Sequence, residues 1–380
     1  MGKAMQAKNA IYTKNYNRIQ LLRLLRQEPL SRAALARRTG LTRAAVSLIT
    51  EELIAEGSIR ESAVAVEGSA RGRTPVLLEL CPEGGFAVGV RLSRSGCGVG
   101  VSDFTGKLLC QEQVAFPQAS TVQEQLETIA QTVERLIRTV PWERILGVGV
   151  AAPGPVDSAV GKILNPPDFA LWSGCEIGPL LSRRLGLPVY LENDANAAAI
   201  HNYMDHDFPG KENFLLLLVD SGVGSGVISG GTLLRSTGGF TCELGHTSIN
   251  YRGPVCACGN RGCLEMYAGT GRLLAQYPKY SGWQALMDSP DAVDALRREA
   301  EYLSAAILNL TNVVRIEAVL LAGDIQAQSE RIIPCIAEFL QGRSLSLGDT
   351  PLTILPALSG RDAHIQAACS IVFGHYLHAC

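Results

Sequence analysis

The chain has 380 residues, 47% of them apolar and 18% charged, with a formal net charge of −2. That length supports two or three domains, each with a core of its own. The longest apolar run, Phe214–Val219, is too short to cross a bilayer, and the polar start, interrupted by Lys3, Lys8 and Lys14, does not read as a signal peptide. Residues 1–75 hold 13 Lys+Arg against 6 Asp+Glu and carry +7, which leaves −9 on the rest. A basic front on an acidic body points to nucleic acid as the partner of the front end. Of the eleven cysteines, Cys81, Cys97, Cys110, Cys175, Cys242, Cys335, Cys369 and Cys380 are scattered, mostly in apolar surroundings. They read as small hydrophobes of a chain kept in a reducing cytoplasm.

Residues 1–14 show no periodicity and read as an unstructured arm. From Tyr16, apolar residues recur at Ile19, Leu21, Leu22, Leu24 and Leu25 with a helical period, and Pro29 ends the pattern. Ser31 is an N-cap for a short helix (Arg32–Thr39) closed by Gly40, and Thr42 caps a second helix, Arg43–Glu56. Two short helices joined by a Thr-Gly-Leu-Thr turn form a helix-turn-helix. The second helix enters a major groove N-terminus first, presenting Thr42, Arg43 and Ser47, with Arg32 on the helix before it. A strand (Ser58–Ala63), a loose tip and a return strand (Thr74–Leu80) make a wing, whose Arg71 and Arg73 suit the DNA backbone or a minor groove. A protein-interaction module with a solvated basic face is the competing reading; charge, caps and wing together favour DNA.

The body opens as a meander of small and β-branched residues, Gly85–Val90, Gly96–Val101 and Lys107–Leu109. A helix over Thr121–Thr139 and a buried-type strand, Ile145–Ala151, follow. The pattern then recurs. Phe214–Asp220 is an apolar strand, Ser221–Gly226 a Gly-rich turn, Ala292–Val314 a long helix and Ala318–Leu321 a buried strand. Two copies imply a duplicated α/β body with a cleft between halves, ligands lying at the strand ends. A helix over Asp362–Tyr376 closes the chain and packs on the first half. Between the copies, a strand over Pro188–Leu191 runs into Asn193 and Asp194 at a helix start. That arrangement presents a carboxamide and a carboxylate at the cleft, and it is also compatible with a simple helix cap.

In the second copy the helix is delayed by a segment that brings together His246, Cys256, Cys258 and Cys263, bracketed by Glu243 and Glu265. Three thiols and an imidazole complete a tetrahedral zinc set, and Gly259 and Gly262 let the backbone turn tightly around an ion. Four protein donors leave no open position for water, so the site reads as structural. A disulfide pair is the alternative.

These motifs resemble the ROK family (repressors, open reading frames and sugar kinases). The resemblance rests on the Gly-rich turn, Glu243-Leu244-Gly245-His246, the run from Cys256 to Glu265, and Asn193-Asp194. The winged front end is similar to that of its repressor branch, the Mlc, NagC and xylose-repressor type. The resemblance implies an actin-like, Hsp70-like ATPase fold, α/β with two RNase H-like halves. It divides the chain into a winged helix-turn-helix domain at 1–80 and a sugar-kinase-like domain at 81–380. The first half is 81–190 plus the C-terminal helix, and the second half is 191–360. It also implies a sugar at the cleft, hydrogen-bonded by Asn193, Asp194, Glu243, His246 and Glu265, with His246 shared between zinc and sugar. Asp194 stands at the family's general-base position.

One departure separates the branches. Kinases of the family carry Asp-x-Gly-Gly-Thr at the first strand turn, where this chain has Arg91-Leu92-Ser93-Arg94-Ser95. The phosphate-cradling backbone and its metal carboxylate are gone. The expected protein is therefore a non-enzymatic cytoplasmic repressor of carbohydrate genes, xylose metabolism among them. It would act as a dimer or tetramer on operator DNA and answer a sugar or sugar phosphate. An active sugar kinase with a DNA-binding domain, and a repressor gated by a sugar-transport protein, remain the alternatives.

Overall fold

The computed structural model describes residues 2–62, 76–167, 169–235, 242–343, 352–358, 360 and 362–377, with side chains from residue 14 onward, residue 15 excepted. The front end is α1 (Gly2–Gln27), β1 (Leu30–Ser31), α2 (Arg32–Thr39), α3 (Arg43–Ala55), β2 (Ile59–Glu61) and β3 (Leu77–Leu80). The arm expected over residues 1–14 is helical from Gly2. Lys, Ala, Met and Gln at residues 3–8 are good helix formers, and nothing breaks the helix before Pro29, so it extends beyond its apolar stripe. Ser31 Oγ accepts from Ala34 N at 3.2 Å, Gly40 takes the left-handed conformation (φ 72°), and Thr42 Oγ1 accepts from Ala45 N at 3.2 Å. The strands pair antiparallel in the order β1-β3-β2, a three-stranded wing sheet. The wing tip with Arg71 and Arg73 lies outside the described residues.

The first half of the body contains β4 (Phe86–Leu92), β5 (Gly96–Ser102), β6 (Leu108–Ala115), α4 (Val122–Ile137), β7 (Ile145–Ala152), a small hairpin of β8 (Val156–Asp157) and β9 (Lys162–Ile163), α5 (Ile177–Leu185) and β10 (Val189–Asn193). After α6 (Asp194–Asp205) come β11 (Asn213–Val219), β12 (Val223–Ser229) and β13 (Thr232–Leu233). Three short helices, α7 (Glu265–Ala268), α8 (Thr270–Leu274) and α9 (Trp283–Met287), precede α10 (Ala292–Thr311), β14 (Ala318–Gly323), α11 (Ser329–Leu340), β15 (Thr353–Pro356) and α12 (Ala363–Tyr376).

The two sheets run β10-β7-β4-β5-β6 and β13-β12-β11-β14-β15. Counted within its own half, each has the strand order 3-2-1-4-5, with the last two strands parallel to the first. This duplication is the actin-like fold. Each half contains a fifth strand after its second helix, which extends the four-strand repeat read from sequence. The boundary expected at 190/191 falls inside β10. Parallel pairing of Val189–Asn193 with Val148–Ala152 carries the first sheet through Asn193, so the halves part at Asp194. The third strand also runs further than Lys107–Leu109, because its pairing with β5 continues to Ala115.

Two helices fill the space between the sheets. α12 crosses the first sheet on a row of three paired glycines, Gly89 with Gly100 and Gly149. A Cβ on Gly89 would sit 2.5 Å from the Ile365 carbonyl oxygen, and one on Gly149 would strike that of Ala368. α6 lies on the second sheet in the same way, with Gly226 2.7 Å (as a built Cβ) from the Ala195 carbonyl oxygen. The outer faces bury against α4 and α5 on one side and α10 and α11 on the other. The inner core is continuous from Leu21, Leu22 and Leu25 of α1 through Tyr203 and Met204 of α6 and Phe373 of α12 to Leu216 of the second sheet. Hydrophobic burial therefore joins the front end to the middle of the body. Among the described residues no helix is long and apolar enough to cross a membrane.

Candidate functional site

Asn193 and Asp194 stand where β10 meets α6, at the cleft edge of the first sheet. Asn193 is the N-cap, and its Oδ1 accepts from Asn196 N at 2.7 Å. Capping uses only that oxygen, so the cap and ligand readings coexist. Asp194 Oδ1 accepts from its neighbour Ala195 N at 2.8 Å. Burial, together with the nearby Asp220 charge, pushes the Asp194 carboxyl up to about 6, against the Ala195 N–H and the Arg91 guanidinium, which pull it down.

The second half faces them with Gly222 and the start of β12, which takes up all but Ser221 and Gly222 of the stretch read from sequence as a turn over Ser221–Gly226. Glu265 begins α7, and its Oε2 accepts from Val223 N at 3.1 Å. A Cβ on Gly222 would lie 2.7 Å from that oxygen, and one on Gly224 would lie 3.9 Å from Asp194 Oδ1. The carboxylates of Asp194, at the junction of the two halves, and of Glu265 thus flank one short glycine segment. Glu243 is exposed as a residue, but burial of its carboxyl, then the Asp194 and Glu265 charges, push that carboxyl up to about 7. Crowded carboxylates at a strand-end cleft are strong acceptors for hydroxyl groups.

His246, Cys256, Cys258 and Cys263 form a compact four-donor cluster beside this cleft, their ligand atoms all within 4.8 Å of one another. His246 Nδ1 is 3.6 Å from Cys256 Sγ, and the sulfurs of Cys258 and Cys263 are 3.7 Å apart. A disulfide needs about 2.05 Å, so the thiols are free. A tetrahedron with metal–sulfur bonds of ~2.3 Å has edges of about 3.8 Å, which the cluster fits. The knuckle is held by Cys256 N on the Asn260 carbonyl (2.8 Å) and Asn260 Nδ2 on the His246 carbonyl (3.2 Å). Gly262 is required there. Its φ is +66°, and a Cβ would run into the Asn250 carbonyl oxygen.

On the nucleotide side, Arg91 is the penultimate residue of β4, and Ser93–Ser95 form a tight hairpin closed by Ser93 N on the Gly96 carbonyl at 2.9 Å. Opposite it, Asp220 Oδ1 accepts from Asp324 N at 2.8 Å. Burial, then Asp220, push the Asp324 carboxyl up.

In the front end, Thr42, Arg43 and half-buried Ser47 lie at the leading end of α3. Arg32 has partners inside the front end. Its Nε donates to Thr50 Oγ1 at 3.1 Å and its Nη1 lies 3.5 Å from Glu61 Oε1, so it also braces α2 against α3 and the wing. Sequence reasoning passed over Leu48, 58% exposed on α3. It also passed over Glu192, Arg235 and Asp220, which no local motif marks.

The match to the ROK family model covers residues 87–373. The chain belongs to the ROK family. The xylose repressor of Bacillus subtilis strain 168 is 27% identical over 384 residues, covering 98% of this chain and 99% of the relative. The transcriptional dual regulator NagC of Escherichia coli K12 is 26% identical over 378 residues, covering 93% and 91%. The crystal structure of a ROK family transcriptional regulator, a homologue of the E. coli Mlc protein, superposes with a TM-score of 0.75 at 25% identity, covering 96% of this chain and 97% of its own. The likeness to these regulators includes the winged front end. With the altered phosphate turn, it places this ROK protein among the transcriptional repressors of carbohydrate genes and not among the kinases.

Proposed function

We propose that this ROK protein binds operator DNA through α3 and the wing and releases it when a sugar or sugar phosphate enters the cleft. The observation that carries the reading is the convergence of Asp194, where the halves join, and Glu265 on the Gly222–Gly224 segment of a chain that also has a winged helix-turn-helix. Asn193, Asp194, Glu243 and Glu265 take the sugar hydroxyls. His246 turns Nδ1 to the thiolates and keeps Nε2 for the ligand. Zinc is the metal that suits three thiolates and an imidazole, and with no open position it braces the knuckle that carries His246 and leads into Glu265. Thr42, Arg43, Ser47 and Leu48 face the major groove, Leu48 supplying the apolar contact that a thymine methyl takes. Arg71 and Arg73 reach the backbone. Paired half-sites call for a dimer or a tetramer working in the cytoplasm.

The route from sugar to DNA is α6. Its N-terminus bears Asn193 and Asp194. At its C-terminus Asp205 receives Arg26 of α1, from Nε at 2.6 Å and from Nη2 at 3.2 Å. A helix of this length spans about 18 Å. Closure of the halves on a ligand would displace α6 and, through Asp205, the front end.

The test is fluorescence anisotropy on the DNA upstream of the protein's own gene, at fixed salt, with a panel of sugars and sugar phosphates. Release by one compound supports the proposal and names the effector. Tight binding that no compound disturbs favours a sugar-transport protein as the gate. Binding no tighter than to unrelated DNA removes the operator role.

A further inference from the structure

One side chain crosses the cleft without belonging to any motif. Arg235 follows β13 in the second half. Its Nη1 donates to Ser158 Oγ at 2.7 Å, and its Nη2 lies 2.5 Å from Glu192 Oε2. Both partners belong to the first half. The Glu192 side chain is 1% exposed and that of Arg235 20%. The other carboxylate oxygen, Oε1, accepts from Asn193 N at 3.0 Å and from Asn196 Nδ2 at 2.8 Å. Asn196 N in turn donates to Asn193 Oδ1. Glu192 is thus the hub of the turn that presents Asn193 and Asp194. A buried carboxylate is costly unless it is paired, and Arg235 supplies the charge as an ion pair, its Nη2 close to Oε2 but outside hydrogen-bonding geometry, while Oε1 takes the hydrogen bonds.

We propose that Arg235 is a positioning residue of the sugar site: it pairs with Glu192 and hydrogen-bonds Ser158 across the cleft, and so fixes the turn bearing Asn193 and Asp194. This rests on the sugar-binding reading above. A merely structural role, neutralising Glu192, would show in stability alone. The positioning role shows in affinity when stability has been restored.

The experiment is calorimetric titration of the full-length protein with D-xylose, D-glucose, N-acetylglucosamine and their phosphates, alongside melting temperatures. It compares wild type, Arg235→Met, and Arg235→Met combined with Glu192→Gln. Whichever sugar the wild type binds, Arg235→Met weakens it by about 10- to 100-fold. The double variant has no unpaired buried charge, so it regains melting temperature but not affinity. Should the single variant fail to fold, the double variant against wild type carries the same comparison. Wild-type affinity in Arg235→Met, or affinity that returns together with melting temperature in the double variant, overturns the proposal. A wild type that binds none of the compounds overturns the sugar reading itself, and this proposal with it.

Discussion

At the scale of single residues, the chemistry of the cleft is set by how its carboxyl groups are surrounded. Asp194 has a folded-state pKa of about 6 against an ordinary 3.8, so the folded protein holds that proton more tightly than the unfolded chain does. The associated stabilisation is complete below about pH 4 and is lost as pH rises through about 6. Asp194→Asn cannot ionise. Allowing for partial solvent contact, it should be more stable than wild type by about 1–2 kcal/mol at pH 8, with the gap closing toward pH 4. Denaturant melts at the two pH values check this; a gap that does not change with pH counts against a perturbed Asp194. At the other end of the molecule, Arg43 is exposed on the leading turn of α3. Arg43→Ala should cost about 1–3 kcal/mol of operator binding if it reads a base, measured by anisotropy at one salt concentration.

At the scale of elements, the C-terminal helix depends on what the strands beneath it lack. Gly89, Gly100 and Gly149 lie in one register row, and α12 rests directly on their backbone. Gly149→Val adds volume where the Ala368 carbonyl already sits, and overpacking of this kind costs roughly 1–3 kcal/mol or more. Thermal unfolding reads the loss, and an unchanged melting temperature would mean that α12 is seated elsewhere. The knuckle makes a second element-scale prediction. Removing zinc with a chelator should displace both His246 and Glu265, so melting temperature and sugar affinity fall together and both recover on adding zinc. Sugar binding that survives chelation would separate the knuckle from the site. The row of glycines was visible in the sequence only as small residues in alternating strands. Its purpose depends on a helix more than 200 residues later in the chain.

At the scale of the whole molecule, the front end and the cleft meet through α6 and α12. The Arg26 side chain is 3% exposed. Besides Asp205, it donates to the Phe104 carbonyl oxygen at 3.1 Å and lies 4.9 Å over the ring of Phe373. Asp205 is also paired with His201 at 3.0 Å. Its burial raises the carboxyl, but Arg26 and His201 outweigh that and hold it well below the usual range. Arg26→Gln should leave sugar affinity near wild type while erasing the effect of sugar on DNA binding, a coupling of about 1–3 kcal/mol. Parallel sugar and DNA titrations measure both, and a sugar response of wild-type size in the variant would remove α6 and Arg26 from the route.

Much of this protein was legible locally. The caps at Ser31 and Thr42, the left-handed Gly40, the Cys and His spacing of the knuckle and the strand-turn-strand repeat are each determined by residues a few positions apart, and all stand as read. Periodicity and spacing report such short-range requirements directly. Local sequence misled at the first fourteen residues, where helix propensity extends a helix that its apolar stripe does not mark. It was silent on the partners of Arg32, which lie on other elements. What only the tertiary structure decided are the contacts between distant parts of the chain, Arg26 with Asp205 and Arg235 with Glu192 and Ser158. Each joins two elements that the fold brings together across a domain boundary or a cleft. An ion pair of that kind leaves no pattern in either of the segments that supply it, because its geometry depends on how whole layers pack.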